Sequence, residues 1–227
     1  MCQRVGTKSV VFRFQQRDFA RTLAMNEDSP SQDAVPSRNE KIAFPVLVRR
    51  FALYLAILTA GLSLDLWTKS RMFGQLGLPG EYLFEENPQA NATWWMIDGV
   101  FGFQTSLNPG ALFGIGEGYV HVFALFSIAA ITGILVWLLF FRGLSSLFLT
   151  VVFGMISAGI LGNLYDRLGL HRLEWNGKPI YAVRDWILVM IGSYHWPNFN
   201  IADSLLVCGA ILLAFFAFFT KENGPVS

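Results

Sequence analysis

The stretch Phe199-Asn200-Ile201-Ala202-Asp203-Ser204 opens a hydrophobic run that continues almost unbroken to Phe219. A run of this length crosses a bilayer as one helix. An aspartate on its third residue is costly, on the order of 1–3 kcal/mol depending on depth. Two readings of Asp203 are open. It can cap the helix by accepting orphan N–H bonds in the first turn, or it can belong to a functional site in the membrane. The rest of the chain has to decide.

Composition marks a membrane protein. Of 227 residues, 53% are apolar and only 15% charged, with a mean hydropathy of +0.44; soluble domains carry about a quarter charged residues. A net charge of +1 gives no footprint for nucleic-acid binding. Cys2 and Cys208 lie far apart, one in a polar arm and one in mid-run, so no disulfide framework is implied. His121, His171 and His195 lack metal-ligand spacing. No phosphate- or dinucleotide-binding glycine motif occurs, so neither metal nor cofactor is expected.

Working back from the last run, three more spans are predicted: Phe51 to Trp67, Tyr119 to Phe141 and Leu144 to Leu164. Only Arg142-Gly143 separates the middle two, which therefore form a tight antiparallel hairpin. Residues 45–221 make up the membrane domain and 222–227 a tail. Residues 1–44 read as a polar cytoplasmic arm. Within it Arg4, Lys8, Arg13, Arg17 and Arg21 alternate with apolar side chains, a weak interfacial-helix pattern. Met25 is an alternative start, and residues 26–40 have the composition of a disordered linker. No secretory cleavage pattern is present, so no segment is expected to be removed.

Lysine and arginine set the orientation. Residues 1–50 hold nine, and Arg142 and Lys221 bring that side to eleven, against six in the other two loops. Both termini are thus expected in the cytoplasm. The two outer loops carry strand signals. Asp98-Gly99 separates Trp94–Ile97 from Val100–Thr105, and Asn176-Gly177 precedes Ile180–Val183, both hairpin patterns. The fold class is an all-α membrane protein of four transmembrane helices, with a small β element on the outer face. The sequon Asn91-Ala92-Thr93 has meaning only in a secretory eukaryotic setting, which nothing else supports.

Polar groups gather on that same outer side. Asp65 and Lys69 end the first span, and Asn108 precedes the second. Asn163, Asp166 and Arg167 close the third, Asp185 follows in the loop, and Asn200 and Asp203 open the fourth. Helix-end polarity without a site would divide between both faces. Asp65 and Lys69, four apart, also suit a simple helix-end ion pair. Asn163, Asp166 and Arg167 suit a hydrogen-bonded helix end. Asp185, flanked by Val183, Trp186, Ile187 and Leu188, is poor company for a surface loop. No Ser/His/Asp order is recognisable, and Lys69-Ser70 are adjacent on a helix and do not face each other. Two carboxylates meeting in a low-dielectric pocket would share one proton, leaving one acid and one base. That is the logic of an aspartic peptidase.

Five pieces together resemble the lipoprotein signal peptidases, the signal peptidase II family. They are Asp65-Leu-Trp-Thr-Lys69, Asn108-Pro-Gly-Ala-Leu-Phe-Gly114, Gly162-Asn-Leu-Tyr-Asp-Arg167, Val183-Arg-Asp185-Trp186 and Phe199-Asn-Ile-Ala-Asp-Ser204. The resemblance covers residues from about 50 to 220 in family order. It implies four membrane helices and an outer β-cradle in the bacterial inner membrane. It also implies cleavage of diacylglyceryl-modified prolipoproteins before the lipidated cysteine, and inhibition by globomycin-type cyclic peptides. It maps the catalytic pair onto Asp185 and Asp203. Pocket or substrate-holding positions map onto Asn108, Gly110, Asn163, Asp166, Arg167, Asn200 and Ala202, and a supporting pair onto Asp65 and Lys69. The chain departs from the family in a longer Asp166–Asp185 stretch, in Trp186 for phenylalanine, in a long loop after the first span, and in the arm. Partners are then lipidated prolipoproteins and membrane lipids, with a monomer as default. A small transporter using intramembrane carboxylates is the alternative, disfavoured because relays need polar groups near the midplane. A non-catalytic scaffold would make Asp185 and Asp203 dispensable.

Overall fold

The computed structural model describes residues 42–80, 93–110, 119–140 and 143–222, without the side chains of 220–222. The arm up to Lys41, the sequon residues Asn91 and Ala92, the motif residues Ala111 to Gly114, Arg142 and the tail from Asn223 lie outside the described residues.

Four helices are long and apolar enough to cross a membrane: α1 (Phe44–Leu76), α2 (Val120–Phe140), α3 (Leu147–Arg167) and α4 (Ile201–Glu222, apolar to Phe219). The expected first span of residues 51–67 is only the middle of α1. The expected span lies between Arg49-Arg50 and Lys69, yet the helix passes both. At one end Arg50 reaches the carbonyls of Leu144 (2.8 Å) and Ser145 in the short turn Gly143–Ser145 between α2 and α3. At the other end Asp65 and Lys69 neutralise each other, and Gly77, at φ +78°, closes the helix by donating to Phe73 O.

Helix α3 is the hub. Half of its apolar window is buried in the protein, against 6–11% for the other three. It packs on α1, α4 and α2. Two glycines permit the closest approaches. A Cβ on Gly159 would lie 2.5 Å from Ala202 O, and one on Gly162 would lie 2.5 Å from Asp65 Oδ2. The outward side chains Leu125, Phe126 and Phe140 of α2 and Phe215 and Phe218 of α4 are exposed, as a lipid-facing surface requires.

The β element is a four-stranded antiparallel sheet, ordered β1 (Trp94–Ile97), β2 (Phe101–Asn108), β5 (Val183–Ile191), β6 (Tyr194–Phe199). Asp98-Gly99 turns β1 into β2, as its signal predicts. Asn176-Gly177, both at positive φ, turns β3 (Glu174–Trp175) into β4 (Lys178–Pro179). That hairpin stands as a separate two-stranded sheet, and Ile180 N–H extends it by one bond to Leu173 O at 2.9 Å. The apolar run beyond Ile180 does not continue the hairpin. Val183 instead begins β5, which turns at Gly192 (φ +63°) into β6. Every residue from Val183 to Leu188 is buried, so β5 lacks the alternation that marks a half-exposed strand. Phe73 of α1 joins Leu107, Ile180, Ala182, Trp186 and Ile187 in one core, which seats the sheet on the helix ends.

Candidate active site

The site forms where the start of α4, the end of α3, the later turns of α1 and strand β5 converge. Asn200 caps α4: its Oδ1 accepts from Asp203 N at 2.9 Å, while Asp203 Oδ2 accepts from Asn200 N at 3.2 Å. This reciprocal pairing is a capping box, with an aspartate in the third position. Asp65 Oδ1 satisfies a further first-turn donor, the N–H of Ala202, at 2.9 Å. Asp203 therefore does cap its helix, but only with one oxygen. Its Oδ1 accepts from Asn163 Nδ2 at 2.8 Å.

Asp185 lies on β5 opposite Ser106 of β2 and is 3% exposed. The side chain of Asn200 donates to its Oδ1 at 2.7 Å, and Asn108 lines the same cleft. Burial, and after it the nearby charge of Asp203, hold Asp185 well above the usual carboxylate range. Lys69, Asn200 and Asn108 oppose that shift without cancelling it. Asn108 also accepts from Gly110 N at 3.0 Å, which turns the chain after β2. Both carboxylates line one cleft of about 930 Å³, together with Asn108, Asn163, Arg167 and Leu206.

Behind the cleft lies a fully buried charge group. Lys69 Nζ is 2.8 Å from Asp65 Oδ2 and 3.1 Å from Asp166 Oδ2, all three at 0% exposure. It also donates to Asn163 Oδ1 at 3.0 Å. Asn163 Oδ1 receives Asn200 Nδ2 as well, at 3.2 Å. The ion pair Asp65–Lys69 is thus not a surface helix-end pair, because α1 continues beyond it and buries both members. Asp166 does lock the end of α3, by tying it to α1 through Lys69 and to β5 through Arg184.

The structure brings together Asp65, Lys69, Asn108, Gly110, Asn163, Asp166, Asp185, Asn200, Ala202 and Asp203. Arg167 lies on the cleft wall with its guanidinium 5.8 Å over the Phe123 ring. Its buried Nε has no hydrogen-bond partner among the described residues. Arg184, a loop charge within the Val183–Trp186 motif by sequence, has no role assigned there but is buried beside Asp185. Its place between Val183 and Asp185, in a run of β-formers, was the available signal. Among the described residues, no three His, Cys, Asp or Glu side chains gather so as to hold a metal ion.

A family model described as Signal peptidase (SPase) II matches residues 57–219. A lipoprotein signal peptidase of Rhodopirellula baltica is 43% identical over 194 residues, covering 83% of this chain and 81% of that protein. One from Geobacillus thermodenitrificans is 32% identical over 177 residues, or 77% of this chain and 96% of that protein. In fold, a bacterial membrane enzyme solved at 2.3 Å resolution aligns with a TM-score of 0.62 at 23% identity. That alignment covers 78% of this chain and 93% of the other. A second such enzyme, solved at 1.9 Å, aligns at 0.57 and 25% identity over 73% and 92%.

Proposed function

The chain belongs to the signal peptidase II family and is a membrane peptidase, and on that premise we propose that Asp185 and Asp203 are its catalytic pair. The observation that carries this reading is Asn200. One asparagine donates its side chain to Asp185 and its backbone N–H to Asp203, so two carboxylates from different elements are held at one cleft. Such a pair shares a proton, and the pair's apparent titration belongs to both members. Burial and the charge of Asp203 favour Asp185 as the holder of that proton.

Asp203 then acts as general base and takes a proton from water, whose oxygen attacks the scissile carbonyl carbon. Asp185 donates its proton to the carbonyl oxygen as the tetrahedral centre forms. On collapse, the proton held by Asp203 goes to the leaving amine, and the hydroxyl proton returns to Asp185. The chemistry uses only water and the two carboxyl groups.

The substrate in this reading is a diacylglyceryl-modified prolipoprotein, cut immediately before the lipidated cysteine, so the cysteine nitrogen is the leaving amine. The cleft supports it: polar groups of the sheet and Asn163 line one part, and Leu206 and Ile160 of the spans another. The enzyme works as a monomer in the bacterial inner membrane, both ends cytoplasmic and the dyad near the outer leaflet, in contact with membrane lipids. Globomycin-type cyclic peptides block the cleft between the two aspartates. The residues 45–221 form the peptidase domain, and the 1–44 arm lies outside the chemistry.

The test is cleavage of a lipidated prolipoprotein by Asp185→Asn and Asp203→Asn variants reconstituted in lipid. Each is expected to lower kcat by about 10²–10⁴-fold, the range of general acid–base catalysis. Cleavage at the wild-type rate by either variant would sink the assignment.

A further inference from the structure

We infer that Arg184 is a positioning residue for the reaction, a buried staple that holds β5, and with it Asp185, against the ends of α3 and α1. The inference rests on the dyad reading above. Arg184 is 4% exposed and is not among the residues lining the cleft, so it acts through its neighbour. Its backbone N–H donates to Asp166 Oδ2 at 3.0 Å. Its Nε and Nη2 donate to Asp166 Oδ1 at 3.0 and 2.8 Å. Its Nη1 reaches Ser70 Oγ of α1 at 3.4 Å. Its carbonyl accepts from Asn200 Nδ2 at 3.5 Å, the same amide that holds Asp185.

This one residue thus meets α3, α1 and the cap of α4, and the next residue is the proposed acid. The planar guanidinium supplies two donors to one carboxylate and a third toward Ser70, a fork that an ammonium group lacks. Arg184 also balances charge. Asp65, Lys69, Asp166 and Arg184 are two carboxylates and two cations, all buried. Without Arg184, Lys69 alone serves both carboxylates, and Lys69 is also the donor that orients Asn163 toward Asp203. Loss of Arg184 therefore reaches both halves of the dyad by separate routes.

The experiment measures kcat and KM on a lipidated prolipoprotein for Arg184→Met, Arg184→Lys, Asp166→Asn and the double variant Asp166→Asn/Arg184→Met. Active-site titration with a tight cyclic-peptide inhibitor counts the folded molecules. We expect Arg184→Met to lower kcat per titrated site at least about ten-fold, as a displaced catalytic group does, with KM little changed. Arg184→Lys is expected to recover part of the loss, and the double variant to be no worse than the Asp166→Asn single variant. A purely structural role predicts fewer titrated sites at wild-type kcat, and that result overturns the inference. If Arg184→Met does not accumulate as folded protein, Arg184→Lys carries the test, and wild-type kcat in it is equally fatal. Asp185→Asn in parallel separates the two ideas. Cleavage by Asp185→Asn defeats the dyad itself, whereas inactive Asp185→Asn beside fully active Arg184→Met defeats only the staple.

Discussion

Asn200 donates its side-chain amide to Asp185 Oδ1 at 2.7 Å, while its backbone N–H and its Oδ1 cap the helix that carries Asp203. The cap of a membrane span and the geometry of the proposed dyad are therefore one construction. Helix-end capping is a stability device in most proteins. Here it also fixes the angle at which a carboxylate enters the cleft.

Asn200→Asp separates the two roles. Aspartate is as good an N-cap as asparagine, so the variant is expected to keep its thermal stability within about 0.5 kcal/mol on that account. It cannot donate to Asp185 and adds a third carboxylate, so kcat should fall on the order of a hundred-fold. Asn200→Ala should lose activity and also about 1 kcal/mol of stability. Thermal unfolding in detergent beside cleavage assays reads both, and full activity in Asn200→Asp would refute the link.

Asp185 should cost the protein stability when ionised. Its folded-state pKa is raised by burial, then by Asp203, so the folded protein holds that proton more tightly than the unfolded chain. Its contribution is most favourable below the ordinary carboxylate pKa and is lost as pH rises through the raised value. Asp185→Asn should therefore melt higher than wild type at alkaline pH, with the gap closing on acidification. Cleavage should fall over the same rise in pH through the raised value, because the proton that Asp185 donates is lost. A constant gap in melting temperature across pH would contradict this.

Lys69 is the cation that bridges Asp65 and Asp166 on the α1 side of the charge group. Removing one partner of a buried ion pair typically costs about 3–5 kcal/mol. Lys69→Met should approach that loss, whereas Asp65→Asn/Lys69→Met should recover much of it. Unfolding of both variants in the same detergent is the check, and equal instability would deny the charge balance.

Gly162 leaves the space that Asp65 occupies. An alanine Cβ there would meet Asp65 Oδ2 at 2.5 Å and Ala202 Cβ at 3.1 Å, so α3 must move from α1 and α4. Gly162→Ala should cost about 1–3 kcal/mol, as overpacking does, and lower kcat, since Ala202 lies one residue before Asp203. A variant with wild-type stability and rate would show that the helices yield without consequence.

Much of this was legible in the residues. Four long apolar runs have one stable solution in lipid, because every backbone polar group must be satisfied within the segment. Asp98-Gly99 and Asn176-Gly177 marked their turns because each needs positive φ, at Gly99 in the first and at both residues in the second. Strand β5 was not legible as a strand: buried on both faces, it alternates nothing, so the apolar flanks of Asp185 spoke against a surface loop without showing which element holds it. The length of α1 was hidden for a related reason, since Asp65 and Lys69 end a hydropathy window while their mutual neutralisation lets the helix continue.

By itself the sequence determined the number of spans, the turns, and the gathering of polar residues toward one end of the bundle, all of them properties of local pattern and solvent. Only the tertiary structure decided which of those polar groups touch. Asp65 reaches Ala202 across 137 residues, and Asn163 reaches Asp203 across 40. Such contacts depend on how closely α1, α3 and α4 can pack at Gly159 and Gly162, and no local pattern encodes that distance.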